Sequence, residues 1–203
     1  MALRRILRID SDEDKKILKT KCRPVKLPQT GLRRIVADMF ETMQDAEGVG
    51  LAAPQIGLTI CLTVIEIPPL FEKQDNGTEV EVEPAEQYVL INPRIVKMSD
   101  KEIIRQEGCL SLPGWYGDVP RASWVTVEYQ DLNGKQRRLR KAGGLLGWAI
   151  QHEVDHLSGV LFTERIRDLS TLRDLSKENE ESAIAGVQRG ASNLRPELKS
   201  AAG

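Results

Sequence analysis

The chain has 203 residues, of which 40% are hydrophobic and 29% are charged, and its formal net charge is -1. These values are typical of one globular domain, and the near-neutral charge gives no general attraction to nucleic acids or membranes. No hydrophobic run approaches the about 18 residues that span a bilayer, and the first residues lack the pattern of a signal peptide. The three cysteines have no regular spacing and predict no disulfide framework, so we expect a cytoplasmic protein.

The first third of the chain predicts one helix and one strand. Hydrophobic residues recur at helical spacing over residues 31–46, which indicates an amphipathic helix. The glycine-rich segment 48–57 ends this helix, and the β-branched segment 58–67 predicts a strand. Residues 70–87 are strongly acidic and contain Asp75-Asn76-Gly77, so they predict a surface excursion such as a hairpin.

The middle of the chain predicts further strands, and a helix follows them. Residues 89–96 and 103–107 have strand composition, and residues 124–140 alternate around a turn at Asn133-Gly134, which predicts a hairpin. Gly143-Gly144 then precedes a helix that ends at Ser158-Gly159.

This order of elements predicts an α+β fold, because the strands are gathered in the middle instead of alternating with helices. We expect mixed or antiparallel sheets around a central helix that binds a metal, with an amino-terminal helix and a carboxy-terminal helical tail. A single catalytic domain is expected over residues 1–170, followed by a polar, partly helical tail over residues 171–203. No direct nucleic-acid motif is present in the sequence.

The only two histidines of the chain lie in the five-residue sequence HEVDH, at positions 152 and 156. Residues four apart on a helix share a face, so His152 and His156 point at one place with Glu153 beside them. This is how proteins present a divalent metal together with a general base. The pattern therefore predicts a metal site on this helix.

A catalytic metal site of this kind needs a third protein ligand and keeps one position open for water. A third histidine of the metzincin type is excluded, because Phe162 occupies its place. A downstream glutamate of the thermolysin type is offered by residues 178–181, although that highly charged stretch is typical of a solvated face. Cys109 is favoured, since its thiolate suits Fe(II), Zn(II), Co(II) or Ni(II), and Gly108 beside it allows close approach. A buried structural thiol is the alternative for Cys109.

Three motifs carry a family resemblance. Residues 48–55 (GVGLAAPQ), 107–111 (EGCLS) and 151–157 (QHEVDHL) resemble, in order and spacing, the signature motifs of peptide deformylases. The resemblance implies a mixed α+β fold and a hydrolase that removes the formyl group from N-formylmethionine of newly made polypeptides. It also implies one native Fe(II) per chain, which Zn(II), Ni(II) or Co(II) can replace. Transient contact with the ribosome is left open, and no membrane contact is expected.

The same resemblance implies roles for individual residues. It makes Cys109, His152 and His156 the metal ligands and Glu153 the proton carrier. It also implies three further features: an oxyanion hole formed by Gln55 and the backbone N–H of Leu110, substrate contacts from the backbone of Val49, Gly50 and Gly108, and an ion pair between Glu107 and Arg121 that fixes the loop of Cys109.

The side-chain pocket is predicted from helix geometry. Leu145, Trp148 and Ala149 lie on the face of His152, and their apolar side chains suit a methionine-sized pocket, although a helix packed on a core has the same pattern. Gln151 and Asp155 are candidate partners of the metal ligands, with exposure at the surface as the alternative.

Two alternatives to a deformylase remain open at this point. One is a zinc peptidase with the same HExxH helix. The other is a structural metal domain, against which the intact Glu153 argues.

Overall fold

The structure is a computed structural model that describes residues 2–74 and 77–175. Three α-helices and ten strands are present in these ranges. The helices are α1 (Asp12–Leu18), α2 (Leu32–Asp45) and α3 (Gly144–Leu157). The strands are β1 (Gly50–Ala52), β2 (Leu62–Ile67), β3 (Leu70–Lys73), β4 (Glu79–Glu83), β5 (Glu86–Met98), β6 (Glu102–Cys109), β7 (Leu112–Ala122), β8 (Trp124–Gln130), β9 (Gln136–Gly143) and β10 (Arg173–Asp174).

The strands form three antiparallel sheets. The largest has the order β1-β2-β5-β8-β9, the second has the order β10-β7-β6, and β3 and β4 form a separate hairpin. The predicted α+β fold is confirmed, and its sheets are antiparallel. No helix within the described ranges has the length and hydrophobicity needed to traverse a bilayer. The tail expected for residues 171–203 lies mostly outside the described residues, although β10 within it pairs with Trp115 and Tyr116 of β7.

Helix α3 packs against the large sheet and is the centre of the fold. Its buried Ile150 belongs to an apolar cluster with Ile65, Leu90 and Val127 from β2, β5 and β8. Gly147 brings the helix against the end of β9, because a Cβ atom there would lie 2.2 Å from the carbonyl oxygen of Ala142. The large sheet therefore holds α3 tightly.

Helix α2 packs against β1 and β2 of the large sheet. Its apolar face carries Met39 and Met43, which are fully buried against residues such as Leu62 and Val64 of β2. This is the amphipathic helix predicted for residues 31–46, and the structure confirms it. The hairpin predicted around residue 133 is also confirmed, as β8 and β9.

Three elements differ from the predictions. The strand predicted for residues 58–67 begins only at Leu62, because backbone groups of Thr59 and Cys61 bond instead to Arg23. Strand β7 was not predicted, since its two prolines and two glycines are typical of a loop. Helix α1 was also missed. It has only 7 residues, which is too short for a periodic pattern, although Ser11 caps it and acidic residues fill its first turn.

The amino-terminal segment joins two loops that lie far apart in sequence. The backbone N–H of Leu7 donates to the carbonyl oxygen of Gln55 at 2.7 Å, and that of Ile9 donates to the carbonyl oxygen of Ser111 at 3.0 Å. The same segment is anchored on α2, where Arg4 forms an ion pair with the fully buried Asp38. These contacts hold the loop after β1 beside the loop after β6.

Candidate metal centre and peptide-binding cavity

Helix α3 places its two histidines one turn apart on the side that faces β6. The ring centroids of His152 and His156 are 5.0 Å apart. The Sγ atom of Cys109, the last residue of β6, lies 3.2 Å from Nε2 of His156. Ligand atoms of all three residues lie within 4.8 Å of one another. The structure therefore brings together the three side chains that the sequence singled out as ligands.

Of the other positions considered for a third ligand, the structure describes only Phe162. Phe162, at the position where a metzincin has its third histidine, is buried and stacks on His152 with 6.2 Å between the ring centroids. The glutamates at residues 178–181 lie outside the described part of the chain.

A buried carboxylate orients His152. The Nδ1 atom of this ring lies 2.9 Å from Oε2 of Glu107, so Nε2 is the nitrogen available toward Cys109. Arg121 donates to both carboxylate oxygens of Glu107, at 2.8 and 2.9 Å, which is the ion pair that the resemblance implied. Burial by itself would raise the pKa of Glu107, but its bonds to Arg121 and His152 lower that pKa to about 2. Glu107 is therefore a carboxylate anion.

The ion-pair network continues beyond Arg121 to the protein surface. Asp155 accepts a hydrogen bond from Arg121 at 2.5 Å and two from Arg165 at 2.6 and 3.0 Å. Asp155 is buried, so the alternative of an exposed side chain is wrong for this residue. Gln151 is also buried, but it bonds to the backbone of Ala122 and Gly147 instead of supporting a ligand. Arg165 was not predicted, since no motif connects it with the histidines.

Glu153 lies beside the histidines in a space that a glycine keeps open. Its side chain is buried, and Oε2 has no hydrogen-bond partner among the described residues. A Cβ atom at Gly50 would lie 2.3 Å from Oε1 of Glu153, so any other residue at this position would have to displace the carboxylate. Burial raises the pKa of Glu153 to about 7. A carboxyl group of this kind can both accept and return a proton near neutral pH.

The donor set fits a divalent transition metal. One thiol and two imidazoles are the ligands that such ions prefer, and three protein ligands leave one position for water or substrate. Burial holds the pKa of His156 well below its usual range, so this ring is neutral, as a ligand must be. Its Nδ1 atom is buried and has no partner in the described part of the chain. The fit with a metal therefore rests on the convergence of the three ligand atoms within 4.8 Å of one another, and not on this outer ring nitrogen.

Gln55 directs its side-chain amide into this centre. Its Oε1 accepts a hydrogen bond from the backbone N–H of Ala52 at 2.8 Å, which fixes the amide so that Nε2 points at the loop after β6. There Nε2 lies 3.3 Å from Oγ of Ser111 and 3.6 Å from Sγ of Cys109. Leu110 lies between these two residues in the chain. Ser111 is fully buried and was not recognised from the sequence as a partner of Gln55.

A cavity of about 710 Å³ opens beside the cluster. It lies between β1 and β6, each of which is the edge strand of its sheet. Every residue predicted for substrate binding lines it, and so do the two predicted for the oxyanion hole; these are Val49, Gly50, Gln55, Gly108, Leu110, Leu145, Trp148 and Ala149. Other lining residues, among them Arg105, Trp115 and Tyr116, were not predicted. The alternation of β6 could have indicated Arg105, because it lies two residues before Glu107 on the same face.

Comparison with known proteins identifies the family. Residues 5–171 match the family described as Polypeptide deformylase. A curated peptide deformylase of Chloroflexus aggregans is 71% identical over 184 residues, which are 91% of this chain and 98% of the relative. The chain belongs to the polypeptide deformylase family. Family membership makes it a hydrolase that depends on a metal, and it favours this activity over that of a zinc peptidase.

Solved structures of family members have the same fold. A peptide deformylase from Legionella pneumophila superposes with a TM-score of 0.69 at 39% identity, covering 90% of this chain and 98% of the other. A class I type b peptide deformylase from Acinetobacter baumannii, bound to Met-Ala-Ser, superposes with a TM-score of 0.67 at 31% identity. That match covers 81% of this chain and 99% of the other.

Proposed function

We propose that the enzyme removes the formyl group from N-formylmethionine at the start of newly made polypeptides and releases formate, with Cys109, His152 and His156 holding one divalent metal. The observation that carries this proposal is the convergence of Cys109 with the two histidines beside the buried Glu153. When bound, the metal would lower the pKa of a water and polarise the formyl carbonyl. We propose Fe(II) as the native ion, with Zn(II), Ni(II) or Co(II) able to replace it.

Glu153 is the proton carrier of the proposed reaction. Its carboxylate takes a proton from the attacking water as the water oxygen bonds to the formyl carbon. It then gives that proton to the departing nitrogen as the carbon–nitrogen bond breaks, which leaves formate and a free amino terminus. Two observations support this role. Oε2 of Glu153 has no hydrogen-bond partner among the described residues, and Glu153 is next to the proposed ligand His152 in the chain.

Gln55 and Leu110 stabilise the charge that develops on the formyl oxygen. The side-chain amide of Gln55 is held by Ala52 and points into the centre, so it need not reorganise during the reaction. The backbone N–H of Leu110 supplies the second donor, because this residue follows Cys109 directly. A neutral amide and a peptide N–H suit an oxyanion without adding a permanent charge.

The peptide is held between two sheet edges. An extended chain in the cavity would add to β1 through the backbone of Val49 and Gly50, and to β6 through Gly108. Its first side chain would enter the pocket lined by Leu145, Trp148 and Ala149. The binding of Met-Ala-Ser by the Acinetobacter baumannii relative supports this assignment. Because the substrate is a newly made chain, we propose that the enzyme acts in the cytoplasm, and transient ribosome contact stays a prediction.

The first test measures formate release from formyl-Met-Ala-Ser by enzyme prepared without oxygen and analysed for metal. We expect one metal per chain, and one formate released for each free amino group that forms. Glu153→Ala should keep the metal and the fold but lose at least about two orders of magnitude in turnover, the usual range for a general base. Near-normal turnover in this variant would remove the proton-carrier assignment.

Gln55→Leu tests the oxyanion hole. The substitution removes the amide donor while keeping the approximate volume, so kcat should fall about a hundredfold, as when other oxyanion donors are lost. Metal content should stay at one per chain, because Gln55 only donates toward Cys109 Sγ at 3.6 Å. An unchanged kcat would exclude Gln55 from the hole.

A further inference from the structure

Trp148 makes two contacts that point in different directions. Its indole N–H donates a hydrogen bond to Oε1 of Glu107, the carboxylate whose other oxygen contacts Nδ1 of His152. On the other side, the guanidinium carbon of Arg105 lies 4.9 Å from the centroid of the Trp148 ring. The indole therefore touches both the cavity and the group that orients a metal ligand.

Arg105 is placed by the strand itself. It lies two residues before Glu107 in β6, so both side chains project from the same face toward α3. Its side chain is exposed, and no carboxylate in the described part of the chain pairs with it. Among hydrogen bonds, ion pairs and ring contacts, stacking on the indole is thus the one seen for this cation within the described ranges. A stacked guanidinium restricts the rotation of the ring beneath it.

We propose that Arg105 and Trp148 form a stacked wall that sets the size of the side-chain pocket and, through the indole N–H, steadies the Glu107–His152 pair. Arg105 is a specificity-determining residue, because it keeps the ring from swinging outward and widening the pocket. Trp148 is a positioning residue for the metal centre, because it supplies Glu107 with a donor in addition to Arg121. The pocket half of this inference rests on the proposed function, whereas the metal half does not.

Arg105→Ala tests the pocket half, and Lys141→Ala is its matched control. Lys141 also stacks on a tryptophan, with Nζ 5.5 Å from the ring of Trp124, but it does not line the cavity. We expect Arg105→Ala to raise the kcat/KM ratio of formyl-Phe-Ala-Ser to formyl-Met-Ala-Ser about tenfold, the size of effect that pocket shape produces. KM for the methionine peptide should rise more than kcat falls. A ratio equal to that of Lys141→Ala would overturn the role of Arg105.

Trp148→Phe tests the metal half, with Trp124→Phe as the matched control. Phenylalanine keeps an aromatic ring under Arg105 and removes the N–H donor. Retention of Co(II) is measured by competition with a chelator, which does not depend on activity. We expect Trp148→Phe to retain Co(II) about tenfold less tightly. This is the smallest effect usual for losing a residue that supports a metal ligand, because Arg121 still binds Glu107. Retention equal to that of Trp124→Phe would overturn the support through the indole.

The experiments distinguish a failure of the pocket role or the metal role from a failure of the proposed function. If the unsubstituted enzyme releases no formate from formyl-Met-Ala-Ser, the proposed function is wrong, and Co(II) retention still decides whether Trp148 supports His152. If formate is released but the Arg105→Ala ratio does not move, the function stands and the stacked wall is wrong.

Discussion

Gly50 shows how a single residue without a side chain can determine whether a catalytic group fits. Its place in β1 lies against Oε1 of Glu153, at a distance that no Cβ atom could occupy without moving the carboxylate. The glycine is needed for space and not for an unusual backbone angle. We therefore expect a side chain at this position to affect catalysis more than folding.

Gly50→Ala should reduce kcat/KM about a hundredfold, because a displacement of about 1 Å at the reacting groups has effects of this size. The metal should stay bound, since the three atoms nearest to the new methyl group all belong to Glu153 and not to a ligand. Formate release and metal analysis on the same preparation measure both. In a Glu153→Ala background the glycine substitution should add little further loss, and a full additional loss would show that Gly50 acts by another route.

Helix α3 depends on a second close approach, at Gly147. The helix crosses the end of β9 so closely that a methyl group would meet the carbonyl oxygen of Ala142 at 2.2 Å. Since that atom belongs to the backbone, it cannot rotate away as a flexible side chain would. The packing that positions His152 and His156 is thus set one turn before the histidines.

Gly147→Ala should lower the free energy of unfolding by about 1–3 kcal/mol, the usual cost of forcing extra atoms into a packed interface. The better helix propensity of alanine offsets only about 1 kcal/mol of this. Urea unfolding followed by tryptophan fluorescence measures the change. A variant as stable as the unsubstituted enzyme would mean that α3 can shift away from β9 without cost.

For the elements that were predicted correctly, the sequence features that predict them lie within or next to the element itself. Helix α2 has its apolar periodicity, α3 begins and ends at glycines, and β8–β9 turns at Asn133-Gly134. Strand β7 could not be predicted in the same way, because its prolines are tolerated only where β10 leaves one side of it without a neighbour. That condition depends on chain segments that meet in three dimensions.

The candidate site likewise contains residues that local sequence predicts and residues that it does not. The two histidines and Glu153 follow from helix spacing. Cys109 was favoured because its thiolate suits the metal and other candidates fitted less well, while the role of Gln55 rested on the family resemblance. The contact of Arg105 with Trp148 and the bond from Arg165 to Asp155 join residues that no motif connects. Side-chain pairs of this kind appear only once the sheets and α3 are assembled.

At the scale of the whole molecule, buried carboxylates tie the amino-terminal segment to the rest. Asp38 is fully buried and accepts hydrogen bonds from Arg4 and from the backbone N–H of Ala2. The bond to Arg4, above all, holds the pKa of Asp38 below its usual range. A carboxylate with a lowered pKa stabilises the fold above its ordinary pKa of about 3.9, and that contribution is lost as the pH falls further.

Asp38→Asn should therefore lower the free energy of unfolding at pH 7, and its difference from the unsubstituted enzyme should shrink as the pH falls below about 4. Urea unfolding at the two pH values measures both differences. The control is Asp10→Asn, which removes a carboxylate paired with Arg8 at the surface and should change little. A difference that grows in acid would contradict the assigned direction.

The backbone bonds from Leu7 to Gln55 and from Ile9 to Ser111 have a practical consequence for inhibitor discovery. A truncated enzyme that starts after Ile9 would lose both bonds, and with them one support of each loop. Compounds selected against such a truncated form would be tested on a site in which the loops around the Gln55 amide are less firmly held. Screening and crystallisation should therefore use protein with its first nine residues intact.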